Sequence, residues 1–481
     1  MKKFYMQLIL PVLLLAATPG IVNAQFNLSS ELRMRGEYRD GYSTLRDSTK
    51  YPYLDMLGRA RAIFDYKSEK FSTRINLQGA WVFGQNSFSS DTITKNTINL
   101  YEAWLRYAFT NSFALKVGRC ELKYDDQRFI GVSDWTMWGA SHDVLMAQWE
   151  VAGAGYKGDF GLAINNMAPA SSFLSSYIVK GNYKYLGYLW DQKKFANDKV
   201  TLSLLAVVDA FQKASTSVTK SKTTFDTLNV YNENDSIIGT TVVPTTTKTT
   251  TTTDYPTQLY ARATVGLDAW LNLKKFRAFA SGYYQGGHYK DGHTLNAWFY
   301  SVWLEYQPVQ LFTIKAGFDH IGGNDFSDTT GQKTKYTGFS TLYGSAHGFY
   351  GYMDLWSTYV RDNIYAGLND LYARATLSFT EKMKLELTWR WFSLPYSYLN
   401  VADKANKTPY TQVSKSLGNE FDLMYVYSPF KNFDLNAAYC LILPTHTMEL
   451  QRGLAVGTSK FAQYVYVQVT YKPNFYSSEK K

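Results

Sequence analysis

The chain of 481 residues has two cysteines and six histidines. Cys120 and Cys440 lie far apart in sequence, so no disulfide framework holds the fold, and nothing local argues that the two pair. The histidines are scattered; His293, His320 and His347 show no metal-ligand spacing, and no zinc or other metal site is expected. No G-x-S-x-G elbow accompanies His142-Asp143, and the adjacent Asp125 and Asp126 rarely flank one bond as a catalytic carboxylate pair does. No enzyme activity and no cofactor are expected. After residue 25 no apolar run is long enough to cross a bilayer as a helix. No fixed-period repeat supports a solenoid.

Aromatic rings are abundant, at 39 Tyr, 29 Phe and 12 Trp, yet mean hydropathy is only −0.28. This combination fits strands whose apolar positions alternate with polar ones, with rings gathered at two interfaces. The start of the chain reads as a targeting segment. Met1-Lys2-Lys3 is basic, residues 8–17 are apolar and Val22-Asn23-Ala24 is a small-residue cleavage site. Residues 1–24 are read as a signal peptide and 25–481 as one outer-membrane domain. The formal charge of +10 suits anionic solutes or lipopolysaccharide at the outer leaflet; an exported chain rarely meets nucleic acid. Nothing in the sequence marks a subunit interface.

Period-two alternation gives the wall. In 31–38, Glu31, Arg33, Arg35 and Glu37 share one face against Leu32, Met34, Gly36 and Tyr38. Arg59 and Arg61 oppose Ala60, Ala62, Phe64 and Tyr66; Arg74, Asn76 and Gln78 oppose Ile75, Leu77 and Trp81. In the stretch from Tyr101, the side chains of Tyr101, Ala103, Leu105 and Tyr107 point one way and Glu102, Trp104 and Arg106 the other. One face is wet and the other dry. About 18 such segments alternate with short polar turns and long connections. The expected fold is a closed antiparallel transmembrane β-barrel with short periplasmic turns and long extracellular loops. The Thr-rich segment 212–256 reads as a solvated surface loop, the ring-dense 321–367 as a loop over or into the mouth, and 473–481 as a periplasmic overhang.

Arginine on a lipid face costs roughly 2–4 kcal/mol at the midplane, so parity assigns the charged face to the lumen. The basic pathway residues are Arg33, Arg35, Arg59, Arg61, Arg74, Arg106, Arg262, Arg374, Arg390, Lys116 and Lys315. Glu37, Asp65, Glu102, Glu305, Asp319, Glu386, Glu420 and Asp422 are their acidic partners. About half of these charges brace the wall in pairs; the basic surplus leaves a pore that concentrates anions. Arg119, Asp125, Asp126 and Arg128 lie at or beyond a strand end, where parity is silent: they line a constriction or form a loop latch.

YEAWLRY at 101–107, KVGRCELKYDDQRFIGVSDW at 116–135 and GASHD at 139–143 resemble the alginate-export family of outer-membrane barrels. ELRMRGEYRDGY at 31–42, LYGSAHGFYGYMD at 342–354 and LGNEFDL at 417–423 add to the likeness. The resemblance implies an 18-stranded barrel with an arginine-rich pore for anionic polysaccharide or oligosaccharide. It places Arg119, Asp125, Asp126 and Arg128 in the family's most distinctive motif. Cys120 departs from the polar residue expected after Gly-Arg, and 212–256 looks like an elaboration. The expected function is passive passage of anionic solutes, alginate-like or other uronate-containing sugars. A general anion porin and a barrel that only displays adhesive loops are the alternatives.

Overall fold

The computed structural model describes residues 24–84, 98–166, 179, 182–231, 237–325, 335–357, 359–396, 398–399 and 412–478; residues 1–23 of the expected signal peptide 1–24 lie outside them. Eighteen antiparallel strands form the wall. They are β1 Gln25–Asp40, β2 Tyr53–Lys67, β3 Phe71–Val82, β4 Asn99–Ala108, β5 Phe113–Cys120 and β6 His142–Val151. Next come β7 Tyr156–Ile164, β8 Tyr185–Phe195, β9 Val200–Tyr231, β10 Ile237–Asn272, β11 Phe276–His288 and β12 Thr294–Val309. The last are β13 Phe312–Ile321, β14 Leu368–Thr380, β15 Met383–Ser393, β16 Ser416–Tyr427, β17 Phe433–Pro444 and β18 Ala462–Tyr471. Each pairs with its neighbour in sequence, and β1 closes on β18 from Leu32↔Tyr471 to Asp40↔Gln463. Closure satisfies every strand edge within the wall, which a bilayer demands because lipid offers no hydrogen bonds.

The dry face is what alternation requires. Leu105, Val117, Leu145, Leu162, Val208, Val265, Leu304 and Leu387 all stand exposed on the outer surface. The neighbouring inward positions are buried, including Arg59, Gln78, Glu102 and Asp319. Connections are short on one side, as at Ser68 bonded back to Phe71 and Thr110 to Phe113, and mostly long on the other.

Three expectations change. Within 212–256, the described residues are no irregular loop: β9 and β10 continue past the wall as a paired ribbon, with Thr245↔Thr224 and Thr251↔Val218 in register. Threonine is β-branched and favours extended backbone, so low complexity did not mean absence of structure. The described part of the tail, 473–478, is not a free overhang. Asn474–Ser477 pairs with β1 at Asn27 and Leu28, extending the seam. Tyr101 breaks the parity of its strand. The register shifts between Asn76 and Leu77, so Leu100 pairs with Leu77 and Tyr101 is left over. The extra residue turns its ring inward, where it is 3% exposed.

Candidate functional site

The barrel is not an open tube. The 121–141 loop, the 337–367 loop and the segment after β1 fold into the lumen and pack on its inner wall. Phe129 meets Tyr283 and Phe299 of the wall and Phe339 of the other loop, with ring centroids 4.2, 5.0 and 5.7 Å away. Ile130 and Tyr343 form a β-bridge between the loops. Trp356, fully buried, lies against Phe392. The aromatic loop therefore folds into the barrel, where its rings are removed from water and drive the packing.

This plug leaves a cavity of about 1600 Å³ beside the β1–β4 wall. It is lined on β1 from Asn27 to Arg39, a stretch of strand roughly 40 Å long at ~3.3 Å per residue. Its charged lining comprises eight basic side chains, Arg35, Arg39, Arg61, Arg74, Lys123, Arg361, Lys431 and Lys472, against six acidic ones, Glu31, Glu102, Glu121, Asp126, Asp134 and Asp354.

The arginines of β1 and β2 act together on one piece of the 121–141 loop. Asp134 takes Arg33 Nη2 at 2.7 Å and Arg59 Nη2 at 2.9 Å, with Arg61 Nη1 at 3.7 Å. Arg59 also binds Glu31. The backbone is held as well: Arg33 donates to the Asp134 carbonyl, and Arg35 to that of Trp135 at 2.8 Å. Burial alone would raise the Asp134 carboxyl, but Arg33 and Arg59 outweigh it and hold the group below the usual carboxylate range. Arg35 lies 3.8 Å over the Trp135 ring, whose other face stacks on His347 at 3.6 Å. His347 Nδ1 meets Asp354 at 2.9 Å, and the Tyr42 hydroxyl donates to the same carboxylate. Glu37 sits between Arg35 and Arg39. Deeper along the wall, Arg74 binds Asp65 at 2.7 Å and Glu102 at 3.4 Å. Arg61 covers the inturned Tyr101 ring at 3.9 Å, and the Tyr101 hydroxyl donates to Glu121 at 2.8 Å.

Other inward charges serve the plug or the wall. Arg128 is buried, bonded to Asp319 at 2.5 Å and set over Phe349 at 4.5 Å. Arg262 pairs with Asp209 and reaches Asn363 at 2.7 Å. Arg390 pairs with Asp370, lies 3.8 Å from Asp422, and donates to the carbonyls of Phe349 at 2.7 Å and Gly348 at 3.0 Å. Glu420 accepts the Met353 backbone N–H at 2.9 Å. Asp125 accepts the Trp190 indole N–H at 3.0 Å, and burial pushes its carboxyl up to about 6. Arg374 binds Thr388 at 2.9 Å and approaches Glu386 at 3.5 Å. Lys116 and Lys315 lie over Trp104 and Trp303 at 4.1 and 3.8 Å. Glu305 pairs with Arg277. Arg106, bonded to Gln148 at 3.0 Å, lines a separate hollow of about 380 Å³ with Lys157 and Asp159. The structure therefore answers the open question at the 121–141 loop. Arg128 and Asp125 belong to a latch, and Asp126 alone of the group lines the main cavity.

Arg119 fits neither expectation, since it neither lines the lumen nor joins the latch. It shares the outer face of β5 with Phe113 and Val117, both exposed, and pairs twice with Asp143 of β6 at 2.8 Å. At the end of a strand the cost of an outward charge falls towards zero. Asp134, Glu121, Lys123 and Arg361 escaped the sequence reading because all four sit in loops, where alternation carries no information. Arg39 was within reach, two residues beyond Glu37 on the same face.

A family model described as alginate export matches residues 24–453. No curated protein matches significantly. Among solved structures, a BenF-like porin from Pseudomonas fluorescens Pf-5 is similar with a TM-score of 0.54 at 11% identity, over 94% of this chain and 99% of that one. OccK11 (OpdR) of Pseudomonas aeruginosa gives 0.53 at 11%, over 94% and 96%. The outer membrane protein OpdK of the same species gives 0.52 at 10%, over 94% and 99%. At such identities the likeness concerns the fold, and it is the same barrel reached above from strand pairing. The chain belongs to the alginate export family and forms an outer-membrane β-barrel channel.

Proposed function

We propose that the channel passively conducts anionic solutes along the β1–β4 wall, with uronate-containing saccharides such as alginate-like oligomers as the preferred class. The observation that carries this reading is the cavity that follows the arginine-bearing face of β1 and holds two more basic than acidic side chains. Guanidinium groups replace part of a carboxylate's hydration with bidentate hydrogen bonds. Arg74, Arg61, Arg35 and Arg39 follow one another along this wall, so a solute meets several weak sites in series and can leave as readily as it enters.

The test is conductance of the purified barrel in a planar bilayer. Uronate oligomers should interrupt the chloride current at lower concentration than neutral oligosaccharides of equal length. Equal interruption by both removes the preference for uronates. The small size of the charge surplus favours a second reading, a general anion pore; selectivity for chloride over potassium without any uronate effect would identify it.

A further inference from the structure

We propose that Asp134 is a built-in stand-in for the solute's carboxylate: it occupies the Arg33, Arg59 and Arg61 cluster in the resting barrel and yields it to a passing uronate. This deepens the anion-channel reading and rests on it. One carboxylate faces three guanidiniums, two of them at 2.7 and 2.9 Å. Its partners are wall residues, 5%, 0% and 6% exposed, whereas the Asp134 side chain is 43% exposed and looks into the cavity. The removable member of the cluster is therefore the one on the solute's side.

The cluster also has unused capacity. Among the described residues, Arg33 Nε and Arg61 Nη2 are buried with no hydrogen-bond acceptor. Buried guanidinium N–H groups are seldom left so, because their desolvation is uncompensated. The three arginines, with Lys472 3.8 Å from Glu31, face Glu31 and Asp134, so positive charge is in excess for a further anion. With Asp134 turned away, a uronate carboxylate entering from the cavity takes its place against these guanidiniums.

Exchange does not require the loop to leave. The Asp134 carbonyl stays bonded to Arg33, the Trp135 carbonyl to Arg35 and the Thr136 carbonyl to Arg59. Rotation of one side chain frees the site while the backbone of the loop stays in place. Asp134 thus weakens solute binding by competition and keeps the arginines from holding a polyanion too long.

The experiment compares wild type and Asp134→Asn in bilayers, with a trimeric uronate as the probe and a neutral trisaccharide as the control. Asparagine keeps the shape and the backbone bonds but removes the charge. The uronate should bind about tenfold more tightly in the variant, with longer interruptions of the current, and the neutral sugar should be unaffected. Unchanged or weaker uronate binding in Asp134→Asn, with the wild type still uronate-sensitive, overturns the stand-in role and leaves the anion-channel reading intact. A wild type indifferent to uronate overturns both. If Asp134→Asn does not fold, Asp134→Ala, which keeps the carbonyl bond to Arg33, is read in the same way.

Discussion

Replacing Arg61 by glutamine should reduce anion selectivity by an amount set by its place in the cavity. Arg61 is one of the eight basic lining residues, so the change cuts the surplus from two charges to one. Its Nε donates to Gln78 at 2.7 Å, and its guanidinium is 3.7 Å from Asp134; the inturned Tyr101 keeps its bond to Glu121 without it. A unit charge about 8 Å from a passing anion, at an effective dielectric near ~40 for a half-aqueous lumen, is worth ~1 kcal/mol. That is roughly fivefold in local anion concentration. The assay is the reversal potential across a bilayer under a potassium chloride gradient, which should move towards the unselective value. The shift should shrink at about 1 M salt, where the screening length falls to ~3 Å. Arg119→Gln is the control, because Arg119 stands on the outer face paired with Asp143 and should leave the potential alone. Heat-modifiable migration on a gel verifies folding. A folded Arg61→Gln barrel with an unchanged reversal potential, or an equal shift in Arg119→Gln, refutes the reasoning.

Arg390→Met should destabilise the barrel by about 3–5 kcal/mol, the usual cost of leaving a buried charge without its partner. Asp370 loses its cation and the carbonyls of Gly348 and Phe349 lose their donor. A fall in the urea midpoint checks it, and Asp370→Asn in the same chain should recover part of the loss. Burial raises the Asp125 carboxyl from 3.8 to about 6, so between those values the folded state binds the proton that the unfolded state has released. Stability from this group is full at about pH 4 and lost as pH rises through 6, by up to about 3 kcal/mol. Asp125→Asn should flatten that limb of a urea-midpoint series between pH 4 and 7; an unaltered limb refutes the assignment.

Alternation along the chain was enough to read the wall, because a strand in a bilayer exposes its two faces to different solvents and composition must follow. The strand number, the inward course of Arg33, Arg35, Arg59, Arg61 and Arg74, and the turn positions were legible in that way. Parity failed where the backbone departs from strict pairing. The bulge at Tyr101 is one such place. The strand end at Arg119, where an outward charge becomes inexpensive, is another. Composition also misled at 212–256, since a threonine-rich segment serves equally as solvated coil or as paired ribbon.

The sequence by itself determined the closed barrel and the arginine-bearing face, both consequences of a period-two pattern that needs no distant partner. Tertiary structure alone decided which arginines line the cavity. Arg128, Arg262 and Arg390 are taken up by the inward loops, whereas Arg35, Arg61 and Arg74 line the cavity. The positions of Asp134 and His347 beside that wall follow from how two loops pack on each other inside the barrel. That packing depends on contacts between residues hundreds of positions apart, such as Phe129 with Phe339 and Trp135 with His347, which no local pattern records.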